Sequence, residues 1–120
     1  MALSNEARRR YARHLLLAEV GEPGQARLCA HEVRVSGDER ATEIATLYLS
    51  RAGVAVRESA PEAATAPSSA EVAALAGRPE LREAAAFLAG AFTAVEEIKR
   101  ALGVGTRGAL PSRLSSGEPS

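Results

Sequence analysis

Residues 10–54 read RYARHLLLAEVGEPGQARLCAHEVRVSGDERATEIATLYLSRAGV, and the fold is decided in this stretch. It opens on a basic amphipathic segment. Gly21-Glu22-Pro23-Gly24 then predicts the end of a first helix and a change of direction, with a further helical turn over 25–30. A short β run at 33–36, a turn at Gly37-Asp38 and a helix stopping at Gly53 follow. Helix, strand, turn and helix in that order predict the front end of a nucleotide-binding α/β domain. In such a domain the strand-to-helix turn is where phosphate is held.

The flanking residues refine this reading. Ser4 or Asn5 can cap the first helix, and Glu6 places a carboxylate in its first turn. Ala7, Tyr11, His14 and Leu15 recur at helical spacing and form an apolar face. Arg8, Arg9, Arg10 and Arg13 crowd beside it, as a solvated face or as cations reaching a partner or an anion. In the run at 33–36, Arg34 and Ser36 interrupt the apolar pattern that a doubly buried parallel strand requires. The strand is therefore expected at a sheet edge or exposed on one face. Ala41, Ile44, Ala45, Tyr48 and Ala52 mark one face of the next helix, with Leu47 and Leu49 flanking it, and Gly53 suits the left-handed position after its end. Residues 54–56 can form a very short second strand.

Downstream, the composition changes. Residues 57–69, RESAPEAATAPSS, read as an Ala/Pro/Ser linker between a first unit at 1–56 and a helical segment at 70–105. Ser68 and Glu71 have capping-box spacing, Gly77 ends a short helix, and Pro79 suits a first helical turn. Leu81, Ala84, Ala85, Leu88, Ala91, Phe92, Val95, Ile98 and Leu102 then follow at three- and four-residue steps. They predict a long helix over 79–102 with Leu88, Phe92 and Val95 in its core stripe, ended by Gly103 and Gly105. Residues 106–120 are Ser-, Gly- and Pro-rich and read as a disordered tail. The expected fold is a helix-rich α/β arrangement: a partial Rossmann-like half with a small parallel sheet, covered by a long C-terminal helix.

Composition sets bounds on function. The chain of 120 residues allows one small domain. Its 15 basic and 15 acidic residues cancel, so no bulk field recruits nucleic acid or anionic lipid. Aromatics make up 3%, leaving few rings to stack on bases. No apolar run is long enough for a membrane span, and the opening residues lack the apolar stretch of a signal peptide, so a cytoplasmic location is expected. Cys29 stands alone and reads as a buried structural thiol. It has no metal-ligand spacing with His14 or His31, so no metal site is expected. Glu96, Glu97, Lys99 and Arg100 read as a solvated helix face with local ion pairs.

Arg10-Tyr11-Ala12-Arg13-His14-Leu15-Leu16-Leu17, with Gly21, Gly24-Gln25 and Leu28, resembles the opening of the ThiF/MoeB/HesA family. These ubiquitin-activating-type enzymes adenylate the C-terminus of a ubiquitin-like or sulfur-carrier protein. The resemblance continues through Val33, Val35, Gly37, Leu47-Tyr48-Leu49 and Ala52-Gly53-Val54. Gly90-Ala91-Phe92-Thr93-Ala94-Val95-Glu96-Glu97-Ile98-Lys99 and Gly103-Val104-Gly105 are similar to the family's late helix. Together these segments cover a little over half of the chain. The resemblance implies a ThiF-type fold that binds ATP with Mg²⁺, and Arg13, as the second Arg of the Arg-Tyr-x-Arg motif, offered to a neighbouring subunit's ATP site.

The departures bear directly on chemistry. Where the family has Gly-x-Gly-Gly-x-Gly, this chain has Gly37-Asp38-Glu39-Arg40-Ala41-Thr42. Only Gly37 persists as a remnant of the phosphate loop. The side chains of Glu39 and Thr42 obstruct close approach, and Asp38 and Glu39 put carboxylates where polyphosphate would lie. Two like charges about 4 Å apart repel by roughly 1 kcal/mol in water, which Arg40 can offset in part. The family's Mg²⁺-binding segment, catalytic Cys region and Cys-x-x-Cys zinc pairs have no counterpart. A degenerate, non-catalytic partner or scaffold is therefore expected, with no catalytic residue and no cofactor. The expected partners are the chain itself or a full-length relative, with a ubiquitin-like or sulfur-carrier protein as a further one. The alternatives are an active ATP-dependent adenylyltransferase and a decaying remnant without selected activity.

Overall fold

The computed structural model describes residues 21–103, 108–111 and 114. The Arg-rich first helix expected around Arg13 lies outside these residues, as does much of the segment 106–120. The described elements run α1 (Gly21–Ala30), β1 (Glu32–Ser36), α2 (Glu39–Ala52), β2 (Ala55–Val56), β3 (Ala63–Thr65), α3 (Ser69–Ala76), a 3-10 turn (Pro79–Leu81) and α4 (Arg82–Leu102). The fold is helix-rich α/β with a three-stranded parallel sheet.

Strand order is β2-β1-β3. The first residues of β1 pair with β2, Glu32 opposite Ala55 and Val33 opposite Val56. Its last residues pair with β3, from Arg34 opposite Ala63 to Ser36 opposite Thr65. Of the two alternatives expected for this strand, an edge position or one exposed face, the second holds: β1 is central and exposed on one face. Val33 is buried and Val35 packs beside it among Leu49, Ala52 and Ala94 of the helices. Arg34 and Ser36 point the other way and are exposed. Arg34 donates from Nη1 to the Ala60 carbonyl, which fixes the approach to β3.

Three further expectations are corrected. Residues 57–69 are not a free linker. They hold β3, and Ala60, Ala64 and Ala66 are buried. Alanine is depleted in strands, so this segment carried no strand signal, and its pairing with β1 supplies what propensity does not. The helical turn expected over 25–30 begins earlier, with the Gly21-Glu22-Pro23-Gly24 link itself forming the start of α1, where Pro23 in the first turn has no intrahelical N–H partner to lose. Cys29 is exposed, because Gly24, Gln25 and Leu28 form the buried side of α1.

The long helix is rotated relative to its expected stripe. Its buried positions are Ala85, Ala86, Ala89, Gly90, Thr93, Ala94, Glu97 and Leu102. Leu88 and Phe92 are half-buried, and Val95 is 51% exposed. The reason is the proximity of α2. A Cβ added at Gly90 would lie 2.4 Å from the Ala41 carbonyl oxygen and 2.6 Å from Ile44 Cβ. Ala41, Ala45, Ala86 and Ala89 are fully buried, so small side chains let the two helices meet closely. The large residues flank the seam, where Tyr48 and Phe87 make an edge-to-face contact with ring centroids 6.0 Å apart.

Helix ends follow local rules. Gly53 and Gly103 close α2 and α4 in the left-handed region. Ser68 and Glu71 form the capping box that opens α3.

Replacing Gly90 by Ala tests the close approach. Ala favours an exposed helix by about 1 kcal/mol over Gly. Here overpacking against Ala41 should outweigh that gain, with a net loss of roughly 1–3 kcal/mol. In a domain this size each kcal/mol lowers the melting temperature by about 4–8 °C. Val95→Ala should change it by no more than a degree or two. A Gly90→Ala protein melting at or above the parent would show that the seam has room to spare.

Candidate functional site

The candidate site lies at the carboxyl end of β1. The connection from β1 through α2 leads to β2 on one side, and β3 lies on the other. In open parallel sheets this divergence leaves a crevice in which ligands bind. Here the crevice is closed by backbone. The Asp38 N–H donates to the Pro67 carbonyl at 2.8 Å, and the Ala66 N–H donates to the Ser36 carbonyl at 2.7 Å. Gly37 takes φ 133°, and a Cβ there would lie 2.4 Å from the Ala66 oxygen. The one glycine that persists from the expected phosphate loop is therefore required by the approach of the chain leaving β3.

Asp38 caps α2. One carboxylate oxygen accepts the Ala41 N–H at 3.0 Å. The other accepts the Ser69 hydroxyl and an Arg82 Nη2 N–H, each at 2.8 Å. These donors come from the first turn of α2, the first residue of α3 and the first residue of α4. Asp38 is only 4% exposed, so its charge is stable only because each donor stabilises the ionised form. The Arg82 hydrogen bond, helped by Ala41 and Ser69 and opposed by burial, holds the carboxyl at about 2 against its ordinary 3.8. An anion thus occupies the N-terminus of α2, and it belongs to the chain itself.

The neighbouring loop residues do not converge on this point. Glu39 is exposed. Arg40, expected to offset charge in the loop, is exposed and pairs with Glu83 at 2.8 Å and Glu43 at 3.1 Å. The Thr42 N–H donates to the Asp38 carbonyl, and its Oγ1 is buried without a partner among the described residues. Ser69 and Arg82, 31 and 44 residues from Asp38, complete the site but carried no sequence signal pointing to it.

A second polar cluster holds the local ion pairs expected over 96–100 but corrects the reading of that face as solvated. Glu97 is 4% exposed and meets His31 Nε2 at 2.7 Å and Arg100 at 2.7 Å. Arg100 also pairs with Glu62 at 3.2 Å, and Lys99 with Glu96 at 3.0 Å. The cluster ties the junction between α1 and β1, α4, and the approach to β3. No group of three His, Cys, Asp or Glu side chains among the described residues is arranged to hold a metal ion. Among the described helices, none is long and apolar enough to cross a membrane. No protein-family pattern, curated protein or solved structure matches the chain.

The Asp38 cluster has a pH signature. The carboxyl is depressed in the folded state, so its contribution is fully present above about pH 4 and is lost as pH falls through about 2. A shift of nearly two units corresponds to about 2 kcal/mol. Thermal melts of the parent should therefore weaken between pH 4 and pH 2. Asp38→Asn should start lower at pH 7 and lose less over the same interval. Parallel curves for the two proteins would mean that the Asp38–Arg82 pair does not stabilise the fold.

Proposed function

We propose that this chain is a degenerate ThiF/MoeB-like protein that acts as a non-catalytic partner or scaffold. It would serve a system that activates a ubiquitin-like or sulfur-carrier protein. The observation that carries the reading is the position of the Asp38 carboxylate. In a Rossmann-like half, the N-terminus of the first crossover helix receives the nucleotide phosphates. In this chain those donors bind an internal carboxylate that stays ionised down to about pH 2. ATP would have to displace a buried, triply hydrogen-bonded anion and would then face its charge. Such a loop favours a fold that holds itself together over one that binds and releases nucleotide.

Sequence pattern supports the partner role. Arg10-Tyr11-Ala12-Arg13 keeps the motif whose second Arg reaches a neighbour's ATP site in the family. A planar guanidinium aimed at phosphate is not replaced by other cations without loss. The phosphate loop, by contrast, has lost every glycine but Gly37.

Two measurements test this reading. Isothermal titration of the parent with Mg-ATP should give no specific heat at physiological nucleotide concentration. A dissociation constant in the micromolar range would instead favour an active adenylyltransferase. In the second, the chain is reconstituted with a catalytically complete relative and pyrophosphate exchange is followed. Arg13→Ala should leave the melting temperature and partner binding unchanged. It should slow exchange by roughly ten- to a thousand-fold, the range of arginines acting in trans. An unchanged exchange rate would remove Arg13 from the mechanism and favour a remnant without selected activity.

A further inference from the structure

Helix α4 carries two apolar faces, and the fold uses one of them. Its small residues, Ala86, Ala89 and Gly90 among them, are buried against α2. On the other side Ala84, Leu88, Ala91, Val95 and Ile98 recur at alternating steps of four and three residues. That is the spacing of a seam that packs along a second helix. In this fold the seam is largely unused: Ala84 and Val95 are exposed, and Leu88 and Ala91 are half-buried. A seven-residue repeat drifts by about 20° per heptad around a straight helix. Leu102, at the far end of the same series, accordingly turns into the core while the middle of the stripe faces outward.

The large apolar side chains left exposed among the described residues are Leu47, Phe87 and Val95. All three lie on this side of the molecule. At 3.6 residues per turn, Ala84, Phe87, Ala91 and Val95 of α4 fall within an arc of about 80°. Helix α2 runs alongside in the same direction. Arg40 meets Glu83 near the two starts, Ile44 lies against Gly90, and Leu49 and Ala52 share a cluster with Ala94 and Leu102. Tyr48 touches the Phe87 ring, which brings its neighbour Leu47 to the same two-helix face. Apolar side chains exposed singly are ordinary, whereas three gathered on one face mark a contact surface.

We infer that this α2–α4 face is the contact between two copies of the chain, with their α4 helices antiparallel about a two-fold axis level with residues 89 and 90. The register is self-complementary. Positions equally far from that level face each other, so Leu88 opposes Ala91 of the second copy and Val95 opposes its Ala84. Each large side chain then meets a small one, the condition for interlocked helix packing. The charges match in the same orientation. At the first end of the face Glu43 and Glu83 share the single cation Arg40, which leaves one negative charge in excess. At the other end Arg51, one turn beyond Leu47, is exposed and has no ion-pair partner among the described residues. The two-fold axis carries Arg51 of each copy to the acidic end of the other, as an isologous interface requires. The inference is independent of the Asp38 site and of the proposed partner role.

Sedimentation equilibrium of the full chain across the micromolar range tests it. The parent should show a monomer–dimer equilibrium. Val95→Glu should weaken the dimer by at least about tenfold, while its melt in dilute solution stays close to the parent's. Arg51→Glu should weaken it less, by an amount that fades at high salt. Orientation is read from an Ala84→Cys/Val95→Cys variant in a Cys29→Ser background. Within one α4 those positions are about 16 Å apart, beyond the reach of a disulfide, so oxidation should give a covalent dimer joined 84 to 95. A parent that stays monomeric throughout, or a dimer that Val95→Glu leaves intact, would overturn the inference. So would cross-links of 84 to 84 or 95 to 95, or no cross-link at all. Loss of the cooperative melt in Val95→Glu would do the same, because Val95 would then belong to the core.

Discussion

One buried carboxylate ties together the parts of this chain that are far apart in sequence. Asp38 leaves β1, caps α2, and receives hydrogen bonds from the first residues of α3 and α4. Its own N–H reaches the segment that leaves β3. Its side chain is what joins the first residues of α3 and α4 to the carboxyl end of β1. A charge this buried cannot be left half-paired. Removing Arg82 would leave it with the Ala41 N–H and the Ser69 hydroxyl alone, at a cost of up to about 2 kcal/mol, a sizeable fraction of the stability of a small domain. The orientation of three helix N-termini therefore follows from one desolvated anion.

The second constraint is steric. With few aromatic residues, the domain cannot fill space between helices with large side chains. It closes the space instead. Gly90 and the alanines of α2 and α4 bring two backbones together, and the gain comes from many close contacts of small groups. Leu28, Leu49, Val33 and Val72 are the largest apolar side chains fully buried. Such packing tolerates no added volume at the seam and is indifferent to what lies outside it, which is why Val95 and Phe87 remain exposed.

What could be read from the sequence divides along the same line. The helix ends at Gly53, Gly77 and Gly103 and the capping box of Ser68 and Glu71 were legible, because each depends on residues within four positions. The presence of β1, α2 and the long helix was legible from periodicity. The rotation of that helix was not. A hydrophobic stripe ranks Phe92 and Val95 above Ala89 and Gly90, whereas close packing ranks them the other way. Strand β3 was hidden because alanine gives no strand signal until a partner supplies the ladder. In the sequence, Asp38 reads as a carboxylate in the wrong place for phosphate. Its neutralisation by Ser69 and Arg82 depends on a fold that no local pattern encodes.

The position of Asp38 also sets a choice between two uses of the same donors. A helix N-terminus left open by glycines is unsatisfied until a ligand arrives, so ligand binding is strong and folding gains nothing from it. A helix N-terminus capped by an aspartate, itself held by an arginine and a hydroxyl, is satisfied before any ligand arrives. The donors cannot serve both ends at once. Reversing the arrangement would take more than restoring glycine at one position: the carboxylate would have to go, and Arg82 would then face the crevice without a counter-ion. That cation would itself attract an anion. Loss of the internal carboxylate and gain of an external one are thus two states of a single electrostatic requirement, and in this chain the requirement is met from within.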